Sequence, residues 1–423
     1  MNVIEDLRQR GMIQDIMPGT EELLAKEKVA AYVGVDPTAD SMHVGNLATI
    51  MLLVFLQKYG HTPVALVGGA TGMIGDPSGK SAERNLLDEE TLLHNQKGVR
   101  AQLEKLLDFD TEANPARLEN NYSWFKDMGA LDFLRNVGKH LTINYMMAKD
   151  SVKSRVETGL SFTEFSYQLI QGYDFYHLYK NGGVKIQMGG SDQWGNITAG
   201  TELIRRMDGG EAFAFTCPLI TKADGSKFGK SEGGNIWLDP NQTSPYKFYQ
   251  FWMNATDEDA AVFIKRFTLL PMDEIEALIA EHEKAPHLRA LQQKLAEEIT
   301  VMVHSRDAYD QAVRASQALF KGSKEDLMAL SKSELLEVLE GVPTHTLKRD
   351  SHGDSLDMVS FLSTETGILP SKSEAMRSLK ANSISINKEK VAEGSEITEK
   401  DLLNGEFILV QKGKKNKFLV ILE

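Results

Sequence analysis

Cysteine is almost absent from this chain of 423 residues, whose single thiol is Cys217. One thiol excludes an intrachain disulfide and is typical of a protein in a reducing compartment. Long apolar runs are also lacking, because the longest, residues 48–56, is far shorter than the ~20 residues that span a bilayer. The polar start, MNVIEDLRQRG, has no apolar core of a secretion signal. We therefore predict a cytoplasmic protein without a membrane segment.

Positive charge is also in short supply. The chain has 47 Lys and Arg against 60 Asp and Glu, a net charge of −13. This balance argues against a protein that coats nucleic acid without specificity, although local basic patches can still bind phosphate. The hydrophobic fraction of 42% is ordinary for a globular protein. The length predicts about two to four domains.

Short apolar runs alternate with helical periodicity over the first half of the chain. Three runs have the character of strands that end in glycine or proline turns, at residues 30–35, 63–67 and 184–188. This alternation predicts a parallel α/β sheet of the Rossmann-like type, whose ligands lie beyond the carboxyl ends of the strands. We predict this domain for residues 1–220, with an inserted segment at about 80–160.

The pattern changes after residue 220. Clustered glycines predict a mobile loop and connection over residues 221–244. Helical periodicity predicts an α-helical domain for residues 245–320, with helices at 257–267, 272–280 and 290–304. Residues 321–352 are charged and lack aromatics, which predicts a linker. The rest, residues 353–423, mixes helix and strand patterns and predicts a small α+β module.

The segment YVGVDPTADSMHVGN, residues 32–46, leads from the first strand into a helix. Ser41 is a favourable N-cap, and a helix start offers N–H groups and a positive dipole end to an anion. His43 and Asn46 lie on one side of the first turn, and both can donate hydrogen bonds to phosphate. Gly45 lets a flat ring approach the backbone. The alternative is a capped helix with a polar first turn.

Residues 221–234, TKADGSKFGKSEGG, bring Lys227, Lys230 and Ser231 within five positions of one glycine-rich loop. Two ammonium groups on a flexible loop suit a polyphosphate whose charge grows during transfer. The alternative is a solvated surface loop. A P-loop near residue 80 is excluded, because its leading glycine would have to stand at Ile74.

Together the two motifs resemble the paired signature of class I aminoacyl-tRNA synthetases. Five segments resemble the bacterial tyrosine–tRNA ligases: YVGVDPTADSMHVGN, ALVGGATGMIGDPSGK, SFTEFSYQLIQGYDF, GGSDQWGN and TKADGSKFGKS. The resemblance implies ATP-dependent activation of L-tyrosine and its transfer to the 3′ end of tRNA(Tyr), by a homodimer that binds ATP with Mg²⁺. The sequence departs from the class pattern at two points. Asn46 stands where many members have a second histidine, and KFGKS replaces KMSKS.

The resemblance also assigns a tyrosine pocket. It implies that Asp174 and Tyr32 contact the phenolic hydroxyl, while Tyr167, Gln171 and Asp76 hold the ammonium group. A capping box at residues 161–164 predicts a helix to about 179, with three of these side chains on one stripe. A carboxylate that accepts from the phenol rejects phenylalanine, a discrimination for which this family is the standard example. The alternative is a polar helix face in solvent.

The same resemblance implies which residues contact the nucleotide and which take part in catalysis. We expect neither a side-chain base nor a metal site that belongs to the protein. The expected ATP-binding residues are Asp36, Gly45, Gly189, Gly190, Asp192, Gln193 and Lys230. The expected catalytic residues, which stabilise charge at the phosphates, are Thr38, His43, Asn46, Lys227, Lys230 and Ser231.

The C-terminal module resembles the small RNA-binding fold named after the fourth protein of the small ribosomal subunit. Residues 371–423 carry ten Lys and Arg against eight Asp and Glu, a local net charge of +2. The expected tRNA contacts are Arg205, Arg206, Arg377, Lys412, Lys414, Lys415 and Lys417. Three alternatives stay open: a tryptophan–tRNA ligase, an RNA-binding protein without catalysis, and a small-molecule nucleotidyltransferase.

Overall fold

The computed structural model describes residues 2–78, 87–149, 152–153, 159–225, 228–231, 234–348, 356–413 and 416–423, without the side chains of residues 230 and 231. The chain divides into two compact units. Unit 1 comprises Met1–Ser244 with Phe248–Ser305, and unit 2 comprises Pro245–Lys247 with Arg306–Glu423. Within the described ranges, no helix has the length and apolar character needed to cross a membrane.

A parallel five-stranded sheet forms the centre of unit 1. Its strands are β1 (Ala30–Val35), β2 (Thr62–Val67), β3 (Arg117–Asn120), β4 (Val184–Gly190) and β5 (Phe213–Cys217). They lie in the order β3-β2-β1-β4-β5, and every pairing is parallel. The predicted Rossmann-like sheet is therefore confirmed. The order in which strands are added reverses between β1 and β4, because β2 and β3 lie on one side of β1 while β4 and β5 lie on the other. Open α/β sheets bind ligands at such a switch point.

Helices connect these strands and build the inserted segment. They are α1 (Val3–Gln9), α2 (Thr20–Lys26), α3 (Val44–Lys58), α4 (Thr71–Ile74), α5 (Glu89–Leu106), α6 (Tyr122–Phe125), α7 (Ala130–Asn136), α8 (Ile143–Met147), α9 (Phe162–Gly182) and α10 (Trp194–Asp208). The predicted capping box is confirmed at the start of α9. The Ser161 hydroxyl accepts the Glu164 N–H, and the Glu164 carboxylate accepts the Ser161 N–H.

The helices predicted after residue 245 are also confirmed. They are α11 (Pro245–Met253), α12 (Asp257–Phe267), α13 (Met272–Lys284) and α14 (Ala290–Val303). The buried Arg10 fixes α1 to the end of α12, because its guanidinium donates to the carbonyls of Lys265, Thr268 and Leu270. A cation at a helix C-terminus satisfies carbonyls that have no partner within the helix.

Two short strands of unit 1 follow β5, β6 (Lys230–Ser231) and β7 (Gly234–Asn235). The strands of unit 2 are β8 (Thr344–Leu347), β9 (Leu356–Asp357), β10 (Ile384–Ile386), β11 (Glu389–Lys390), β12 (Glu396–Ile397), β13 (Phe407–Lys412) and β14 (Asn416–Leu422). Five of them form a second sheet with the order β11-β10-β13-β14-β8. The helices of unit 2 are α15 (Arg306–Phe320), α16 (Lys324–Met328), α17 (Lys332–Val338), α18 (Met358–Ser360) with the π-helix Phe361–Glu365, and α19 (Lys372–Lys380).

The linker predicted for residues 321–352 is wrong for most of its length. Helices α16 and α17 lie there, and β8 pairs in parallel with β14. Leu327 and Leu335 are fully buried in a cluster with Phe407 and Leu409 of β13. A few leucines at helical spacing are therefore enough to fold this charged stretch onto the sheet.

His61 makes the stability of unit 1 sensitive to acid. It is 2% exposed, and its Nδ1 accepts the Val29 N–H at 3.3 Å. Burial, with the charge of Lys28 nearby, lowers the pKa of His61 from 6.5 to about 4. Between these values the unfolded chain binds more protons than the folded protein, so the free energy of unfolding decreases as pH falls from 6.5 to about 4.

We expect His61→Gln to reduce this acid sensitivity. Urea unfolding at several pH values should show a slope lower by up to about 1.4 kcal/mol per pH unit, the contribution of one proton. The matched control is His94→Gln, since the side chain of His94 is 72% exposed. Equal slopes in His61→Gln and the parent protein would contradict the assignment.

Candidate active site

The end of β1 opens into a polar crevice. The Asp36 carboxylate accepts hydrogen bonds from the Thr71 hydroxyl at 2.6 Å and from the Tyr167 hydroxyl at 2.9 Å. Gly68 permits this arrangement, because a Cβ there would lie 2.1 Å from Asp36 Oδ1. Gly34 is exposed although it lies in the central strand, and no described atom lies within 4 Å of where its Cβ would be. The crevice therefore reaches the middle of the sheet.

Asp174, on α9, lies at the bottom of a buried network. It is 1% exposed; its Oδ1 accepts from Trp124 Nε1 at 2.9 Å, and its Oδ2 accepts from Asn121 Nδ2 at 3.0 Å. Asn121 also donates to the Thr71 hydroxyl at 3.0 Å, which connects Asp174 to Asp36. Burial raises the pKa of Asp174 to about 8, and the two hydrogen bonds act in the opposite direction.

Tyr32, in β1, places a second polar group in this pocket. It is 1% exposed, and its hydroxyl is buried without a hydrogen-bond partner among the described residues. Burial raises its pKa well above the ordinary value, and the Asp174 carboxylate adds to the shift. Its ring packs edge-on against Phe175 at 5.4 Å. An unpaired buried hydroxyl is costly, so a ligand with a polar group at this point would stabilise the pocket.

Asp76 is the centre of a second polar cluster. Its Oδ2 accepts from Gln193 Nε2 at 2.7 Å, and its Oδ1 accepts from the Ser78 N–H at 2.9 Å. Gln193 also donates to Asp192 at 3.3 Å. Burial raises the pKa of Tyr167 well above its ordinary value, and the charges of Asp36 and Asp76 contribute. Tyr167 therefore lies close to both polar clusters.

The remaining predicted residues of this region lie around the two clusters. Gln171 is partly buried on α9, and Thr38 is exposed after β1. Gly189 and Gly190 end β4, and a Cβ at Gly190 would lie 2.6 Å from Asp192 Oδ1. The glycine pair thus lets the turn after β4 close tightly around this carboxylate.

The prediction that Ser41 caps α3 is wrong, because His43 is the N-cap. Its Nδ1 accepts the Gly45 N–H at 3.0 Å, while Asn46 Oδ1 accepts the His43 N–H at 3.0 Å. Ser41 instead accepts from Gln102 Nε2. The ring can take the N-cap role because Nδ1 reaches a backbone N–H two residues along the chain. This bond leaves the ring proton of neutral His43 on Nε2, where it can be donated.

Gly45 is needed for the contact of the His43 ring with the start of α3. A Cβ at this position would lie 2.7 Å from Cε1 of His43, the flat ring that approaches this backbone.

The second motif adjoins the start of α3. The Ile236 N–H donates to the Gly229 carbonyl, and the Val44 N–H donates to the Ile236 carbonyl. Gly229 has a φ of 81°, and a Cβ there would lie 2.9 Å from Val44 Cγ2. The backbone of β6, which carries Lys230 and Ser231, follows directly. Lys227 lies outside the described residues, as do the side chains of the other two.

Phe228 attaches this motif to the helical part of unit 1. It is 8% exposed, and its ring lies 4.9 Å from Phe263, 5.4 Å from Phe267 and 5.8–5.9 Å from Phe251 and Trp252. These four rings belong to α11 and α12. The chain at residue 228 is thereby held between α3 and an aromatic pocket.

The predicted RNA-binding residues are only partly available as free cations. Arg205 and Arg206 both bond to Glu202, whose pKa they lower to about 2. In unit 2, Lys412 pairs with Glu374 at 2.7 Å, while Arg377 lies in the last turn of α19. Lys417 lies over an aromatic ring. Lys414 and Lys415 lie outside the described residues.

Sequence reasoning missed Thr71, Asn121 and Trp124. The last two follow β3 in the run NNYSW, whose position after a strand of the same sheet was the available signal. Over the described part of the chain, no group of three or more His, Cys, Asp or Glu is placed to hold a metal ion.

Two family models match this chain. Residues 24–321 match "tRNA synthetases class I (W and Y)", and residues 334–420 match "Tyrosine--tRNA ligase SYY-like C-terminal domain". Curated relatives named tyrosine–tRNA ligase are 60% identical in Porphyromonas gingivalis and Bacteroides thetaiotaomicron, over 100% of both chains. A C-terminally truncated mitochondrial tyrosyl-tRNA synthetase from Aspergillus nidulans is similar in structure. Its TM-score is 0.69 and its identity 31%, covering 75% of this chain and 94% of that one.

Proposed function

Because the chain belongs to the tyrosine–tRNA ligases of class I, we propose that its buried pair Tyr32 and Asp174 selects the tyrosine side chain. The chain activates L-tyrosine with ATP and transfers it to tRNA. The observation that carries the proposal is the unpaired, buried Tyr32 hydroxyl beside Asp174. A phenol between them donates to the carboxylate and accepts from Tyr32. Phenylalanine would leave the buried Tyr32 hydroxyl unpaired and would give Asp174 no donor in place of the phenol.

The rest of the amino acid belongs at the second cluster. We assign its ammonium group to Asp76, Tyr167 and Gln171, because a buried carboxylate and two polar side chains suit a cation. In this position the substrate's carboxylate points away from Asp174 toward the turn after β4. We propose that Gly189, Gly190, Asp192 and Gln193 hold the nucleotide there, together with Asp36 and Gly45.

Catalysis of the first step is proposed to rest on position and charge. The substrate's carboxylate is already a nucleophile at neutral pH, so no side-chain base is required. It attacks the α-phosphorus of ATP, and pyrophosphate leaves with the Mg²⁺ that accompanies ATP. We assign His43 Nε2–H, the Asn46 amide and Thr38 to one side of the phosphates. The catalytic residues of the other side are Lys227, Lys230 and Ser231.

The tryptophan-specific alternative has weaker support. One family model covers tryptophan and tyrosine enzymes alike, but the C-terminal model and the relatives at 60% identity are tyrosine–tRNA ligases. For tRNA we propose contacts from two arginines of unit 1 and five cations of unit 2: Arg205, Arg206, Arg377, Lys412, Lys414, Lys415 and Lys417. The predicted cytoplasmic location stays a prediction.

Asp174→Asn tests the specificity pair. We expect kcat/KM for tyrosine in ATP–pyrophosphate exchange to fall about a hundredfold or more, because one carboxyl oxygen that can accept a buried hydrogen bond is replaced by an amide NH2 group that cannot. The kcat/KM for phenylalanine should change little, so the ratio of kcat/KM for tyrosine to that for phenylalanine falls by nearly the same factor. Lys180→Gln, on the exposed face of the same helix, is the control. An unchanged ratio in Asp174→Asn would remove this pair from specificity.

Phe228→Ala tests the attachment of the lysine-bearing loop. We expect adenylate formation to slow by about tenfold to a hundredfold while the dissociation constant of tyrosine stays constant, because the loop acts on the transition state. Phe228→Met, which restores an apolar side chain, should recover most of the rate. Rapid-quench measurement on protein with a normal melting profile decides the question. A normal rate in Phe228→Ala would contradict the attachment.

We propose that the family's homodimer forms through an apolar surface of the inserted segment. Exposed apolar side chains concentrate on α7, α8 and the start of α9: Leu131, Leu134, Ile143, Met147 and Phe162. Leu131 is 81% and Phe162 is 75% exposed. The inward faces of these elements share one hydrophobic cluster, so the elements pack as one block. Apolar surface of this kind marks an interface.

Leu131→Glu combined with Ile143→Glu should separate the subunits. Light scattering should give about twice 47.1 kDa for the parent protein and 47.1 kDa for the variant. Leu288→Glu, at an exposed leucine of another part of unit 1, should leave the mass unchanged. A variant that keeps the doubled mass would place the interface elsewhere.

A further inference from the structure

An exposed aromatic ring ends α15 in unit 2. Phe320 is 60% exposed, whereas the preceding Leu319 is 4% exposed and fills the core with Ala315 and Ala318. The opposite face of α15 therefore packs the helix against the core of unit 2. Packing does not explain a phenylalanine at position 320.

Lysines approach the ring from the sheet. Lys417 Nζ of β14 lies 4.6 Å from the centre of the Phe320 ring, close enough for a cation–π contact. Lys388, in the turn between β10 and β11, donates to the Leu319 carbonyl at the end of the same helix. Since the side chain of Phe320 stays mostly exposed beneath Lys417, one face of the ring is left open to a planar partner.

The cationic surface continues along α15. Arg314, Gln317 and Lys321 line one side of a groove of about 600 Å³. Across the described residues, neither Arg314 nor Lys321 has a carboxylate within ion-pair distance. Asp326 and Glu334, on the other side, are each bonded to the N-cap serine of their own helix. The two carboxylates of the groove are held by these local hydrogen bonds, and among the described residues neither forms an ion pair with Arg314 or Lys321.

Charge is divided unequally between the two units. Unit 2 carries 18 Lys and Arg against 19 Asp and Glu, a net charge of −1, so unit 1 carries −12 of the total of −13. A polyanion is repelled less by unit 2, and cations close to an exposed ring favour a nucleic acid over an acidic or apolar peptide. Stacked bases with cations on the neighbouring phosphates are the usual mode for unpaired nucleotides.

We propose that Phe320 is a stacking platform for an unpaired base of the tRNA, with Lys417, Lys321 and Arg314 at the adjoining phosphates. This inference rests on the proposed tRNA binding of unit 2 and adds the residue that holds a base there. The Phe320 ring accepts any of the four bases, because each has a π-face, whereas the cations fix the path of the tRNA backbone.

Phe320→Ala in the full-length protein tests the platform, with an in vitro transcript of tRNA(Tyr) as the probe. We expect the dissociation constant to rise about tenfold to a hundredfold, the effect of losing one stacked base. Tyrosine-dependent pyrophosphate exchange should not change. Phe320→Trp should bind at least as tightly as the parent, whereas Phe320→Leu should resemble Phe320→Ala. Equal binding by the leucine and phenylalanine proteins would exclude stacking.

Salt dependence separates the ring from the cations. Phe320→Ala should lower affinity without altering the slope of log K against log salt, while Lys321→Gln should reduce that slope by about one. Met328→Ala, at another exposed apolar residue of unit 2, is the matched control and should bind normally. A slope change in Phe320→Ala would contradict the platform.

A second variant, Arg377→Ala with Lys380→Ala, separates this inference from the proposed function. If it weakens tRNA binding while Phe320→Ala does not, unit 2 binds tRNA and the platform is wrong. If neither variant weakens binding, the proposed tRNA contacts of unit 2 fail as well.

Discussion

Two carboxyl groups, the partly buried Asp36 and the fully buried Asp174, constrain the arrangement of the whole crevice. A carboxyl oxygen that is removed from water without a hydrogen-bond donor is costly, so each of their oxygens must find a donor. Asp174 obtains its donors from Asn121 and Trp124, and Asp36 obtains one from Thr71, which also binds Asn121. These donors follow β2 and β3, so the sheet order that brings the strand ends together is what satisfies the charges. The position of Asp174 is then a property of the fold, because the network that supplies its hydrogen bonds also holds it in place.

The start of α3 is joined to the second motif by backbone contacts rather than by side chains. Because Val44 bonds to Ile236 and Ile236 bonds to Gly229, any movement of residues 228–231 has to break contacts with the helix that His43 caps. Phe228 adds an apolar attachment to α11 and α12. The two motifs are therefore mechanically coupled, although almost two hundred positions separate them in the chain.

Local signals predicted local structure well. The strand at residues 30–35 and the helix at 257–267 are found where apolar periodicity and capping residues place them. Errors arose where a long-range contact decides the outcome. Residues 321–348 fold because Leu327 and Leu335 pack against β13 and because β14, some seventy positions later, offers β8 an edge. Asn121 and Trp124 carry no motif of their own, and only the sheet order brings them to Asp174. The N-cap at His43 was missed for a local reason, since serine is the commoner cap and imidazole Nδ1 is an unusual substitute.

The distribution of charge explains why RNA recognition needs specific cations. A net charge of −12 on unit 1 repels a polyanion, so its Arg205 and Arg206 act against the local field and are further neutralised by Glu202. Unit 2 is nearly neutral, and there Lys321 and Lys417, which form no ion pair among the described residues, contribute to the local potential. In such a field, attraction to phosphate alone is weak at physiological salt. A contact that does not depend on charge, such as a base stacked on an exposed ring, keeps its strength at physiological salt. The proposed stack on Phe320 would therefore contribute more to tRNA affinity than is expected of a single side chain.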